Sequence, residues 1–124
     1  MEISINIRVE HWLLRRLIPR ATNPRTHSDR QIEQIAASIR EFGFVNPVLV
    51  GPDDVIIAGH ARLLAATQLG MSDVPVIVLR NLTEAQRRAL AIADNQLALG
   101  AGWDEELLRL ELAALQEEEC FLAI

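Results

Sequence analysis

Apolar and polar residues alternate from residue 3 to residue 12, Ile-Ser-Ile-Asn-Ile-Arg-Val-Glu-His-Trp, which is the period of a half-buried strand. A short helical turn over 13–17 follows. Pro19, Asn23 and Pro24 then punctuate a basic loop that runs from Arg20 to His27. Ser28-Asp29-Arg30-Gln31 has capping-box spacing: Ser28 can accept from the third helical N–H while Gln31 reaches back to the cap residue's own amide. Beyond it Ile32, Ile35, Ala36, Ile39 and Phe42 recur at helical spacing until Gly43 offers a left-handed stop.

The pattern then shortens. Residues 48–50 and 55–57 are β-branched runs joined by Gly51-Pro52-Asp53-Asp54, a hairpin loop by composition. Gly59 breaks the second run, and residues 60–69 read as a helix with Leu63, Leu64 and Ala66 inward, stopped by Gly70. Residues 74–79 form a further strand in which Pro75 is expected near the start or on an edge. Thr83-Glu84-Ala85-Gln86 repeats the capping box and opens a helix to about Leu99, ended by Gly100 and Gly102. Asp104-Glu105-Glu106 place negative charge where the dipole of a last helix favours it, with Leu108, Ala114, Leu115 and Phe121 available for its buried side. The order β, α, β, β, α, β, α, α predicts a compact α+β domain: a small mixed sheet with packed helices. Residues 1–102 make the domain, and residues 103–124 supply a C-terminal helix that packs on it or extends it.

At 124 residues, half of them apolar and 23% charged, the chain can bury about two-thirds of its unfolded surface, so disorder is not the expected state. Its apolar runs fall far short of the ~20 residues that cross a bilayer, and no basic stretch leads into an apolar one at the N-terminus as a secretory signal requires. The single Cys120 excludes an internal disulfide and argues for a reducing, cytoplasmic setting. The net charge of −5 is unevenly spread: residues 1–62 hold eight arginines against seven acids, and residues 63–124 four against ten. With no lysine and a pI near 5.1, the chain lacks the general basicity of an autonomous DNA binder, so DNA is contacted weakly or through a partner protein.

Candidate chemistry concentrates where the strand ending at Ala58 runs through Gly59 into a helix. Free backbone N–H groups there attract phosphate, and Arg62 in the first turn adds a forked cation. The bland alternative is a glycine that permits the turn and an arginine in solvent. His60 can donate to a phosphate as a neutral imidazole or serve as a hydrogen-bonding group within the turn. Asp94-Asn95 interrupts an Ala- and Leu-rich helix at a small cost in propensity, which points either to a ligand or to a tie between the helix and its neighbouring turn. His11, His27 and His60 lack the short spacing of a helical zinc site. Trp12 beside Arg15 and Arg16 suggests base stacking or, more simply, a core tryptophan. Asp53 and Asp54 read as turn formers, Arg87 and Arg88 as exposed helix partners of Glu84, and Glu117-Glu118-Glu119 as a solvated end.

Asn23-Pro24-Arg25, Glu41-Phe42-Gly43, Asn46-Pro47-Val48-Leu49-Val50, Ile57-Ala58-Gly59-His60-Ala61-Arg62 and Ala93-Asp94-Asn95, taken in order, resemble the ParB/sulfiredoxin superfamily over nearly the whole chain. Gly59-His60-Ala61-Arg62, Ala93-Asp94-Asn95 and Ala101-Gly102-Trp103-Asp104 most resemble the ParB-like domain at the N-terminus of phage and bacterial DNA-modification methylases. The resemblance implies a pocket for a nucleoside triphosphate with Mg2+. In it Gly59, His60, Ala61 and Arg62 contact phosphate, Asp94 and Asn95 a metal or phosphate, and Asn46 the nucleoside side, with Arg20 and Arg25 near the mouth. The chain departs from the ParB pattern, which has Gly-Glu-Arg-Arg at the turn and a later arginine where Ala98 stands. Losing two charge-assisted contacts costs about 1.5–3 kcal/mol each. His60 also occupies the place of the sulfiredoxin cysteine, which removes reductase chemistry.

These readings lead to a ParB-like nucleotide- or phosphate-binding regulatory module, non-catalytic or weakly hydrolysing. It is associated with DNA modification or with phage and plasmid DNA metabolism, and a DNA methylase domain or subunit is its expected partner. Neither a helix-turn-helix nor the Asn/Asp-Pro-Pro-Tyr methylase signature occurs, so a free-standing domain or the front of a methylase is expected. Two other readings stand beside it: a small metal-dependent nuclease using Asp94 with His60, and a docking domain whose pocket holds nothing.

Overall fold

The computed structural model describes residues 7–21, 26–99 and 102–120, without the side chains of 95–99. Its elements follow the expected order: β1 (Val9–Leu13), a 3-10 turn (Leu14–Arg16), α1 (Asp29–Phe42), β2 (Val48–Val50), β3 (Ile56–Ala58), α2 (His60–Gln68), β4 (Asp73–Val78), α3 (Glu84–Leu99) and α4 (Glu105–Glu117). The four strands form one mixed sheet ordered β1-β4-β2-β3. β1 and β4 are antiparallel, β2 and β4 parallel, and β2 and β3 an antiparallel hairpin. The chain therefore has the expected α+β fold, a small mixed sheet with packed helices.

Both capped helices start where the sequence places them, by different bonding. Thr83 and Gln86 close the box reciprocally: the Thr83 N–H donates to Gln86 Oε1 at 2.8 Å and the Gln86 N–H to Thr83 Oγ1 at 3.1 Å. At α1 the Ser28 hydroxyl accepts from the Gln31 N–H at 3.1 Å, but the Gln31 carbonyl oxygen faces His27 Nδ1 at 3.2 Å instead of turning back to the cap. Asp104 caps α4 by accepting from the Leu107 N–H.

The core lies between the sheet and α2, with Trp12, Leu17, Val48, Val50, Ile56, Ala66, Val74 and Val76 buried together. Three details differ from the sequence expectation. β1 begins at Val9, and Trp12 is its one buried residue while Val9 and Leu13 stay about half exposed; residues 3–6 of the alternating run lie outside the described residues. Ala66 is buried and Leu63 packs against the core as expected, but Leu64 is exposed and α2 also buries Ala61 and Ala65, because small side chains let this helix sit close against the strands. Pro75 is the third residue of β4, which is an inner strand. The parallel ladder to β2 begins only at Val76, so the proline lies where β1 alone flanks β4 and behaves as at an edge.

The site is positioned by a crossing of the chain. After the 3-10 turn, the Ile18 N–H donates to Asp54 O and Ile18 O accepts from the Ile56 N–H, both at 2.9 Å. This parallel bridge, Ile18 to Val55, carries the following residues along β3 to the start of α2. No residue of α4 is buried. Among the described residues no helix is long and apolar enough to cross a membrane.

Candidate functional site

Gly59 has φ 108° and ψ 20° and caps α2 without a side-chain bond. A Cβ there would stand 3.3 Å from Val48 Cα and 3.2 Å from Arg62 Nη2. The position needs glycine on two counts, a left-handed backbone and close approach to β2. Arg62 follows one turn into the helix and folds back so that Nη2 donates to Pro47 O at 3.1 Å. The hairpin register thus sets the strand end, the strand end sets the glycine, and the glycine aims the first turn of α2.

A cavity of about 140 Å³ opens beside this turn. Gly59, His60, Ala61 and Arg62 form one wall, Ala91 and Asp94 of α3 another, and His27, Gln31 and Ile35 a third. Five residues singled out from sequence, Gly59, His60, Ala61, Arg62 and Asp94, thereby meet around one space. Asn46 stands on the exposed chain entering β2, outside the cavity wall. Arg25 lies outside the described residues, as does the Asn95 side chain. The His27, Gln31 and Ile35 wall is not foreshadowed by the sequence: two of the three carry helix-start or core signals, and nothing in their spacing marks a ligand.

The polar partners refine the expected roles. His60 Nε2 accepts from the Arg20 backbone N–H at 3.0 Å, which takes the hydrogen-bonding reading of this residue and sets the tautomer with the proton on Nδ1. Burial holds the His60 pKa below its ordinary value, with the positive fields of His27 and Arg20 adding to the effect. Arg20 is also tied through its side chain, 11% exposed, whose Nη2 donates to Glu84 Oε1 at 2.8 Å. Glu84 therefore pairs across the fold instead of with Arg87. Arg87 in turn reaches the hairpin loop, Nη1 lying 2.9 Å from both oxygens of Asp53, over Gly51, where a Cβ would lie 2.6 Å from the guanidinium carbon. The expected Glu84–Arg87 helix pair gives way because Gly51 leaves room for a longer-range one. Trp12 is a core residue, 4% exposed, with the Arg16 guanidinium 3.5 Å above its ring, so base stacking on Trp12 is ruled out.

The cavity wall combines a glycine-capped helix start, a forked cation and a single carboxylate. Such a wall can hold phosphate oxygens on N–H groups and Arg62. Asp94 would otherwise repel an anion, and it suits Mg2+, which is commonly bound through one or two carboxylates plus substrate phosphates. Among the described residues no group of three His, Cys, Asp or Glu could hold a metal without such a ligand. A volume near 140 Å³ is below the ~300 Å³ at which ligand pockets begin, so the enclosed space has the size for a phosphate group and not for a whole drug-sized ligand.

Comparison with known proteins adds four findings. Residues 5–96 match the model of the ParB N-terminal domain. The chain is 45% identical over 86 residues to the ParB-like nuclease domain-containing protein YnaK of Escherichia coli strain K12, covering 69% of this chain and 99% of that protein. It is 36% identical over 106 residues to the nucleoid occlusion protein of Bacillus thuringiensis strain Al Hakam, covering 82% of this chain but 32% of that protein. Among solved structures, the C-terminally truncated chromosome-partitioning protein ParB of Caulobacter crescentus complexed with CTP-gamma-S superposes with a TM-score of 0.77 at 26% identity. That match covers 90% of this chain and 64% of the ParB chain. The chain thus spans nearly all of one relative, about a third of the second and under two-thirds of the third.

Proposed function

Because the chain belongs to the ParB N-terminal domain family, we propose that it is a nucleotide-binding regulatory module whose ligand places its phosphates in the cavity beside Gly59. The observation that carries this reading is the convergence of Gly59, His60, Ala61, Arg62 and Asp94, from two helices, on one space. The Caulobacter relative was solved with a CTP analogue, which supports a nucleoside triphosphate as the ligand class. In this reading the α2 N–H groups and Arg62 hold phosphate oxygens, Asp94 and Asn95 hold Mg2+ or phosphate against them, Asn46 serves the nucleoside side, and Arg25 belongs to the loop at the mouth. Ligand binding fixes α2 against α3 and so shapes a surface for a protein partner. A DNA-modification methylase, or another protein of phage or plasmid DNA metabolism, is the partner class favoured by the resemblance of the Gly59-His60-Ala61-Arg62 and Ala93-Asp94-Asn95 motifs. DNA is then reached through that partner, as the acidic balance of residues 63–124 favours.

The nuclease reading draws on the name of the Escherichia coli relative and would need Asp94 and His60 to act together on a phosphodiester. His60 Nε2 is already engaged by Arg20, and Asp94 is the one carboxylate among the described cavity residues, so the binding reading is preferred. Calorimetric titration of the chain with ATP, CTP, GTP and UTP, with and without Mg2+, tests it. Saturable binding of one nucleotide, weakened roughly 10- to 150-fold in Arg62→Ala as loss of a charge-assisted contact of about 1.5–3 kcal/mol requires, is the expected result. No heat from folded protein at millimolar nucleotide overturns it, and Mg2+-dependent DNA cleavage lost in Asp94→Ala would replace it with the nuclease.

A further inference from the structure

His60 lines the phosphate cavity, yet its accessible acceptor nitrogen is spent on the backbone of another segment. The Arg20 N–H donates to Nε2 at 3.0 Å. The same Arg20 sends its guanidinium to Glu84 in the first turn of α3 at 2.8 Å, and α3 supplies Ala91 and Asp94 to the opposite cavity wall. One residue, Arg20, thus joins the two helices that bound the site, and one lone pair on His60 holds it there. A lone pair that carries a proton cannot accept, so this joint exists only while the imidazole is neutral.

We propose that His60 and Arg20 form a proton-sensitive latch on the cavity, closed when His60 is neutral and released when it is protonated. On protonation Nε2 becomes a donor facing the Arg20 N–H, donor against donor, and the segment of residues 17–21 loses its tie to α2. The charged groups that face His60 set the balance: Arg20 from that segment, His27 from the chain entering α1, Arg62 from its own helix, and Asp94 from α3. Burial first, then the positive fields of His27 and Arg20, oppose the protonated form, whereas an anion in the cavity favours it. Anion binding and protonation therefore work in the same direction by linkage: a phosphate in the cavity raises the proton affinity of His60 and releases the Arg20 amide from α2, while the Arg20 guanidinium keeps its pair with Glu84 of α3. This second half rests on the phosphate reading; the latch itself does not.

The test follows the Arg20 backbone amide by hydrogen exchange, expressed as protection relative to its intrinsic rate, in the ligand-free chain between about pH 7.5 and 5, a range that brackets histidine titration. Protection should fall about tenfold across that range while the amide of Val76, in the buried ladder of β4, keeps its protection. His60→Gln retains an acceptor and cannot titrate, so its Arg20 amide should stay protected throughout; His60→Ala should be unprotected at both ends. Equal protection of Arg20 at both pH values in the wild type, or a His60→Gln curve that follows the wild type, overturns the latch. Inorganic tripolyphosphate at pH 7 should lower Arg20 protection in the wild type and leave His60→Gln unchanged. Tripolyphosphate that binds by calorimetry but leaves Arg20 protected overturns the coupling. Failure of tripolyphosphate to bind overturns both the phosphate site and the coupling built on it, while the pH series decides the latch independently.

Discussion

Gly59 and His60 carry opposite lessons about single residues. Gly59 was legible because a strand that stops at a lone glycine and resumes as a helix has few other geometries available. Gly59→Ala must adopt φ near 108° with its Cβ 3.3 Å from Val48 Cα, and such strain costs about 1–3 kcal/mol, measurable as a lower urea midpoint at unchanged slope. His60 was legible as a turn residue but not as the acceptor of Arg20, since the two are forty positions apart and meet through the Ile18–Val55 bridge. Its folded-state pKa lies below the ordinary 6.5, so below that value the unfolded chain binds the proton more tightly. Its stabilising effect is therefore present in full above pH 6.5 and lost as pH falls from there through the folded value. Thermal melts from neutral to mildly acidic pH should show this loss in the wild type and a smaller one in His60→Gln.

The elements themselves are legible mostly from their boundaries. Ser28, Thr83 and Asp104 each accept from the amide three residues on, and a cap is local enough to be seen in four letters. Of these the Thr83 box is complete, so Thr83→Ala should cost about 1 kcal/mol, and Gln86→Ala should cost less because only the Thr83 amide loses its partner. Circular dichroism melts of both variants measure the difference; equal, negligible effects would contradict the reciprocal box. The β2–β3 hairpin is equally legible because its loop residues name the turn. The strand order is not: β4 enters between β1 and β2, a non-local pairing that no window of sequence records, and this is why Pro75 points to an edge when the sequence is read alone. The buried face of α2 is legible only in part for a related reason: Leu63 and Ala66 turn inward as read, but burying Ala61 and Ala65 while leaving Leu64 exposed reflects the closeness of the sheet and not hydrophobicity.

Among the described residues two long-range ion pairs tie α3 to its surroundings. Arg20–Glu84 ties the segment after β1 to α3, and Arg87–Asp53 ties α3 to the hairpin loop. Arg87 is 14% exposed on its side chain while Asp53 is about half exposed, so a double-mutant cycle of Arg87→Ala with Asp53→Asn should give a coupling of about 0.2–1 kcal/mol. Gly51→Ala, which puts a Cβ into the guanidinium, should abolish that coupling. Burial of Asp53 tends to raise its pKa, but the hydrogen bond and charge of Arg87 outweigh it and hold the carboxyl below its ordinary 3.8. The pair's contribution should accordingly persist down to that value and vanish as the pH falls through the lowered one. With α3 tied at two points, a ligand between Asp94 and the Gly59 turn acts on a wall that is already placed. Amide chemical shifts followed through a CTP titration in Mg2+ show whether a nucleotide occupies that space. Saturable shifts concentrated at Gly59, His60, Ala61, Arg62 and Asp94 are expected; shifts absent at millimolar nucleotide, or confined to residues away from the cavity, would refute the nucleotide site.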